Sequence, residues 1–263
     1  MEAAAALETM SPLKEVVVRP ARPMLRDVSS TRTLLSTCGA QSVGLPLGLD
    51  AQAMRTFDQL VSARIRLRKG DKVFSAGDRF TALYAIRAGS CKTVLMTEDG
   101  RDQVSGYYMR DEIVGTDGIG ADRHDCQAIV LEDTEVCVLP FARVAEMART
   151  NGGFQQALHR LMASELGRER KVMLMLGTMR AEQRLASFLL DLSQRYQDRG
   201  YSSVEYVLRM TREEIGSYLG LKLETVSRLF SRFHLEGLVE VQGRTIKLLD
   251  RFALKQLVDS SLQ

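Results

Sequence analysis

The sequence predicts an α+β protein: an antiparallel β-barrel or sandwich, then a long helix, then a helix-turn-helix that carries a wing. Three observations predict this. Between Ala63 and Pro140, short apolar runs alternate with turn residues at near-regular spacing, the mark of an antiparallel all-β unit. From Asn151 to Arg180, apolar positions recur every three or four residues, which calls for one long helix. From Met210 to Leu248, two short periodic segments around a glycine lead into strand, glycine turn and strand.

In chain order, Met1 to about Ser36 holds Pro12, Pro20 and Pro23, scattered charges and little periodicity, so it reads as poorly ordered. Cys38–Leu49 is glycine-rich and reads as a loop, which makes residues 1–49 an N-terminal extension. Asp50 opens a helix with Met54, Phe57, Leu60 and Val61, and residues 50–150 form the β domain. Its strands are expected around Ile65–Leu67, Val73–Phe74, Leu83–Ile86, Lys92–Met96, Gln103–Tyr108, Ala128–Leu131 and Glu135–Leu139. Gly70, Gly77, Gly89 and Gly100 mark the turns between them, and Pro140 closes the region.

The helix of residues 151–180 carries Leu158, Met162, Glu165, Glu169, Val172, Leu176 and Met179 at alternating steps of three and four. That is a coiled-coil-like seam, and a stripe of this length predicts a dimer. Two glutamates interrupt it, and near a dimer axis their charges repel unless the seam is rotated by one position. Residues 181–263 form the C-terminal domain. It begins with an amphipathic helix bearing Leu185, Phe188, Leu189 and Leu192 and ended by Gly200, then a strand from Val204 to Met210.

Thr211 and Glu214 have the spacing of a capping box, and Ile215, Tyr218 and Leu219 share one face of the helix they open. Gly220 falls where that helix must stop. The next helix turns Leu223, Val226, Leu229, Phe230 and Phe233 inward and leaves Glu224, Thr225, Ser227, Arg228 and Ser231 outside. In such a pair the second helix enters the DNA major groove. The competing interpretation is an ordinary helical hairpin with a surface Glu224–Arg228 pair. Gly237–Val241, Gln242–Arg244 and Thr245–Leu248 then supply a hairpin wing.

Composition narrows the function classes. The net charge of 263 residues is only +3, so nucleic-acid contact must come from a local patch. Lys222, Arg228 and Arg232 against Glu224 make such a patch. No signal peptide or membrane-length apolar run is visible, which predicts a cytoplasmic protein. Cys38, Cys91, Cys126 and Cys137 are far apart and read as thiols, not disulfides. His124, His159 and His234 lack metal-ligand spacing, and no P-loop, HExxH or Gly-x-Ser-x-Gly is present, so no enzyme is expected.

Residues 68–78 (RKGDKVFSAGD), 83–92 (LYAIRAGSCK), 106–120 (GYYMRDEIVGTDGIG), 181–195 (AEQRLASFLLDLSQR) and 210–233 resemble, collinearly, the CRP/FNR family of bacterial transcription regulators, closest to its FNR branch. The resemblance implies a β-roll sensor domain of the cyclic-nucleotide-binding type, a dimerisation helix and a winged helix. It implies an activator that forms a homodimer, binds double-stranded DNA and contacts RNA polymerase, for which the tip Thr97–Gly100 is a candidate. The branch's Glu-x-x-Ser-Arg corresponds to Glu224, Ser227 and Arg228, and implies a two-fold site close to TTGAT…ATCAA. Arginine can fork onto guanine, glutamate can accept from the cytosine amino group, and serine pairs flexibly. The expected DNA-contacting set is Thr211, Lys222, Glu224, Thr225, Ser227, Arg228 and Arg232.

The resemblance also shows what is missing. Cyclic-nucleotide binders of the family carry a glutamate where this chain has Thr116, and an Arg-Ser pair where it has Cys126 and Gln127. The FNR branch holds a [4Fe–4S] cluster on four cysteines; the matching positions here are Leu35, Cys38, Gly44 and Cys126. Cys91 and Cys137 fit none of them. The expectation is a regulator without a cofactor or metal, with the cluster as the less favoured alternative. Cys38 and Cys126 are either a redox pair or leftover thiols. A cyclic-nucleotide-responsive or other small-ligand-responsive regulator of the CRP type is the alternative function.

Overall fold

A computed structural model describes residues 60–96, 100 and 102–260. Eight strands come first: β1 (Ala63–Leu67), β2 (Lys72–Phe74), β3 (Ala82–Ala88), β4 (Ser90–Met96), β5 (Asp102–Met109), β6 (Ile113–Val114), β7 (Gln127–Val130) and β8 (Thr134–Pro140). They form two four-stranded antiparallel sheets, ordered β1-β8-β3-β6 and β2-β7-β4-β5. Phe74, Ile86, Cys91, Val114, Ala128, Val130 and Val136 are contributed by both sheets and cluster together as one core. All seven expected strands form; β6 escapes sequence reading because two residues show no period.

The helical part opens with α1 (Phe141–Thr150), which is separate from α2 (Gly152–Thr178). Asn151 makes the break: its backbone is extended and its Oδ1 accepts from Phe154 N at 2.9 Å, starting a new helix. Val144, Met147, Phe154 and Leu161 pack on Leu83, Ala85, Cys137 and Leu139. Next come α3 (Ala181–Asp198), β9 (Glu205–Val207), α4 (Arg212–Leu219), α5 (Leu223–Leu235), β10 (Val239–Gln242), β11 (Thr245–Leu248) and α6 (Arg251–Asp259). The expected wing pairs, and β9, shorter than the expected strand, joins it in a sheet ordered β10-β11-β9. Helix α6 had no counterpart in the sequence reading. No described helix is long and apolar enough to cross a membrane.

The C-terminal core of Leu185, Leu189, Leu192, Ile215, Leu219, Phe230, Phe233, Ile246 and Leu254 is continuous with Val94, Val104, Tyr107 and Met109 of β4 and β5. Polar contacts tie the same halves together. Lys92 Nζ meets Glu214 Oε1 at 2.8 Å, and Ser217 Oγ accepts from Val104 N at 2.9 Å. Arg184 donates to the carbonyls of Leu176, Met179 and Leu219, joining the end of α2 to the end of α4.

Glu112, in the turn between β5 and β6, is the electrostatic centre. Its carboxylate lies 2.6 Å from both Arg195 of α3 and Arg199, which follows α3, and 3.7 Å from Arg168 of α2, and accepts from Met109 N at 3.0 Å. Burial alone raises the pKa of Glu112, but Arg195, Arg168 and Arg199 outweigh it and hold the carboxyl below its ordinary value.

The expected seam on α2 is split between two faces. Glu165 is buried toward the chain's own sheet, accepting from Tyr108 Oη at 3.2 Å beside Arg168, while Val172, Leu176 and Met179 lean on the C-terminal core. Leu158 packs on the α1 side. The open stripe runs through Met162, Leu166 (53% exposed), Glu169 and Met173 (69% exposed). Met162 and Glu169 keep their expected places on this stripe, while Leu166 stands there instead of Glu165 and Met173 instead of Val172. The sequence period is the same for either register, and Arg168 and Tyr108 decide between them by giving Glu165 partners inside.

Glu112→Gln strips the charge from between Arg195 and Arg199. Breaking a buried ion pair from one side should lower unfolding stability by about 3–5 kcal/mol, measured by urea denaturation at neutral pH. Because the folded pKa of Glu112 is depressed, its contribution is complete above the ordinary glutamate range and is lost as pH falls through the folded value. The difference between the variant and the parent should therefore narrow on acidification below about pH 4.

Candidate nucleic-acid interface

The interface is assembled on α4 and α5. Thr211 Oγ1 accepts from Glu214 N at 3.1 Å while Thr211 N donates to Glu214 Oε2 at 2.6 Å, closing the expected capping box. Glu214 also receives Lys92. Burial would raise the Glu214 pKa, yet the bonds to Lys92 and Thr211 bring it below the usual value. Gly220 ends α4 at φ 64°, the left-handed conformation, and Leu221 N returns to Gly216 O at 2.8 Å. A Cβ on Gly216 would lie 2.6 Å from Leu221 O, so this turn needs glycine at both positions.

The turn delivers α5 with Val226, Leu229, Phe230 and Phe233 buried and Glu224, Ser227, Arg228 and Ser231 exposed. Among the described residues, the side chains of Glu224 and Arg228 have no hydrogen-bond or ion-pair partner. The Glu224–Arg228 pair of an ordinary hairpin does not form. Thr225 is half-buried, and Lys222 is exposed just before α5 without capping it. Thr211 spends its acceptor on the cap. Arg232 is drawn away toward α3, 3.3 Å from Glu182 and 3.5 Å from Glu236. Leu223 departs from expectation: placed on the inner face by its period, it is exposed.

Sequence reasoning missed Arg212. Its guanidinium lies 3.4 Å from the Phe230 ring centroid, and burial lowers its pKa to about 10. Among the described residues it has no carboxylate partner. The available signal was a cation in the first turn of α4, where the helix dipole disfavours positive charge.

A second feature is a cavity of about 730 Å³ between the β5 sheet and α2, bordered by Thr93, Val104, Tyr108, Gly115, Met162 and Leu166. The charged groups at its wall are Asp117, Asp125, Glu165 and Glu169 against Arg168, and Arg168 is already held by Glu165 and Glu112. A cyclic phosphodiester would meet this carboxylate excess without a free cation, so the residues do not fit a cyclic nucleotide.

Among the described residues a four-thiolate cluster finds one of its four matching positions, Cys126, and that thiol already has other partners. Asp117 Oδ2 accepts from Cys126 Sγ at 3.4 Å and from Asp125 N at 2.9 Å, while Asp117 Oδ1 is 3.2 Å from His124 Nδ1. His124 stacks on Phe74 with 3.7 Å between ring centroids. Burial first, and then the Asp117 charge, push the Cys126 thiol far up, away from the thiolate that metals and oxidants require. Cys91 and Cys137 are fully enclosed in separate cores. Among the described residues no group of three His, Cys, Asp or Glu side chains could hold a metal. Cys38, Leu35 and Gly44 lie outside the described residues, as does the Thr97–Asp99 part of the hairpin tip.

Asp117→Asn removes the charge that opposes ionisation of Cys126. The pH profile of its alkylation by iodoacetamide should shift to lower pH, read by mass spectrometry at this thiol; an unmoved profile would mean burial alone keeps it protonated.

Residues 64–151 match the family description "Cyclic nucleotide-binding domain" and residues 183–257 match "Crp-like helix-turn-helix domain". The transcriptional regulatory protein btr of Bordetella pertussis is 45% identical over 223 residues, covering 85% of this chain and 92% of that one. The fumarate and nitrate reduction regulatory protein of Escherichia coli K12 is 36% identical over 220 residues, 84% of this chain and 88% of that one. Among solved structures, FixK2 from Bradyrhizobium japonicum superposes with a TM-score of 0.69 at 28% identity, covering 75% of this chain and 98% of that one. With these two domain matches and relatives at 36–45% identity covered over most of their length, the chain belongs to the CRP/FNR family of DNA-binding transcription regulators.

Proposed function

We propose that the chain acts as a homodimer that reads a two-fold DNA site resembling TTGAT…ATCAA, mainly as an activator within redox-linked gene control. The observation that carries this reading is the outward face of α5. Glu224, Ser227 and Arg228 stand exposed, and the two charged ones are unpaired among the described residues. Arg228 supplies the fork for a guanine, Glu224 the acceptor for a cytosine amino group, and Ser227 an adaptable partner. Lys222, Thr211, Thr225 and Arg212 surround them as backbone contacts. Arg232, with Glu182 and Glu236 beside it, serves more as a brace of α5 than as a base reader.

The α2 stripe supports the dimer. Met162, Leu166 and Met173 line a narrow apolar seam that the described residues leave exposed. Glu169 remains on it and weakens the association by charge repulsion, a bias that a signal can tip: tenfold in a population is about 1.4 kcal/mol. The activator role and the RNA polymerase contact rest on the resemblance to the FNR branch. The chemistry around Cys126 favours control without a [4Fe–4S] cluster. The cavity beside α2 favours a second reading, in which a small ligand without a phosphate sets the dimer equilibrium.

Two experiments test the two halves. Arg228→Ala should abolish discrimination between the TTGAT-type site and random duplex, a loss of roughly 1–3 kcal/mol per half-site. Arg212→Met, in parallel, should weaken both duplexes equally and reduce the salt slope by about one. Retained discrimination in Arg228→Ala would rule out α5 as the reading helix. In sedimentation, Leu166→Asp with Met173→Asp should give monomers with an unchanged far-ultraviolet circular dichroism spectrum; persistent dimers would place the interface elsewhere.

A further inference from the structure

The exposed stripe of α2 runs further toward the N-terminus than its apolar part. Leu166 stands seven residues before Met173, and seven before Leu166 stands His159, exposed on the same face. Among the described residues the His159 side chain has no hydrogen-bond, ion-pair or ring partner. A single histidine on a helix surface is ordinary. Its place on this stripe makes it different. When two copies of a helix pair about a two-fold axis, residues of the central row meet their own copies. In a pairing through α2, His159 faces the same ring of the second copy, as Leu166 and Met173 face theirs.

The described surroundings supply no counter-charge. One turn away along α2 lie Gln155, Gln156, Met162 and Ala163, and the adjacent Arg160 has the sign of a protonated ring. Helix α1 packs on α2 and carries Arg143, Glu146 and Arg149, with Glu146 bound to Arg149. Tyr108 and Glu112 engage Glu165 and Arg168, and Arg184 binds carbonyls at the far end of α2. Glu169 is about 15 Å further along the helix axis, beyond the reach of an ion pair. A neutral imidazole fits such an interface, whereas an imidazolium would be pressed against its copy and stripped of water. We infer that His159 makes assembly through α2 sensitive to pH, and that protonating its ring weakens the dimer. The inference rests on the dimer reading given above and names one input to it. Separated chains bind the two protons more readily than the dimer does. Assembly is therefore strongest above the ordinary range of histidine and weakens as pH falls through it. The Glu169 pair responds with the opposite sign, and only at the lower pH where carboxylates gain protons, so the two effects are separable.

The test is sedimentation equilibrium of the full chain, without DNA and at constant ionic strength. From about pH 8 to about pH 6 the dissociation constant of the parent dimer should rise, by up to about sixteenfold where both rings must shed an ordinary imidazole proton. His159→Met should dimerise at least as tightly as the parent and show no such rise. His159→Lys, with a fixed charge, should dimerise weakly at both ends of the range. The position is exposed, and circular dichroism verifies that both variants fold. The inference is overturned if the parent constant does not change, if His159→Met retains the rise, or if His159→Lys dimerises as tightly as His159→Met. In each of these cases a parent protein that dimerises leaves the α2 reading standing. A parent protein that stays monomeric throughout the range overturns both.

Discussion

A carboxylate removed from water needs cations from its surroundings, and Glu112 draws them from two helices. Arg168 comes from α2, Arg195 from α3 and Arg199 from the cap that follows it, while the carboxylate itself belongs to the turn between β5 and β6. None of these charges could be buried alone without a large desolvation penalty. They are therefore buried together, and the three elements must meet at one point. The apolar contacts nearby are less directional. Tyr107, Phe188 and Tyr218 gather with ring centroids 5.1–5.9 Å apart and fill the space between the sheet and the winged domain. The ion cluster fixes orientation, and the aromatic cluster contributes burial.

The same contacts give α4 two allegiances. By sequence it is the first half of a helix-turn-helix, with its own cap, apolar face and glycine stop. By packing it also lies on β5: Ser217 accepts from Val104 N, and Glu214 is shared between Thr211 and Lys92. A capping box is usually a local affair worth about 1 kcal/mol. Here its glutamate is also a contact across the chain, so local helix stability and long-range docking depend on one side chain.

Much of the fold was legible because it rests on local periods and turn chemistry. Strands with alternating burial, the Thr211–Glu214 box, the Gly220 stop and the Gly243 hairpin turn all announce themselves within a few residues. What was not legible depended on distant partners. The register of α2 turns on Tyr108, 57 residues from Glu165 in sequence. Helical period alone treats Glu165 and Leu166 as neighbours with equal claim to the seam. Leu223 has the spacing of an inward residue, but the helix begins there and the side chain stays exposed. Arg212 gave only a weak local signal, because its stacking partner Phe230 lies on the next helix. In the sensor region, the sequence showed which family residues were replaced; the structure adds that Asp117 now holds the thiol that remains at Cys126.

The grip on α4 also has a metric consequence. A winged domain on a loose tether would let the two reading helices of a dimer search over many separations. Lys92, Val104 and the Glu112 cluster remove that freedom, so the β-roll becomes a ruler for the helix that stands on it. In a two-fold assembly through α2, the gap between the reading helices is set by packing far from the DNA. It must match the pitch of the duplex, roughly 34–36 Å between half-sites. A tilt of a few degrees at the Lys92–Glu214 contact would be magnified along the length of the winged domain. In the proposed dimer, half-site spacing would thus be written in the β5–α4 contact as much as in the residues proposed to touch the bases.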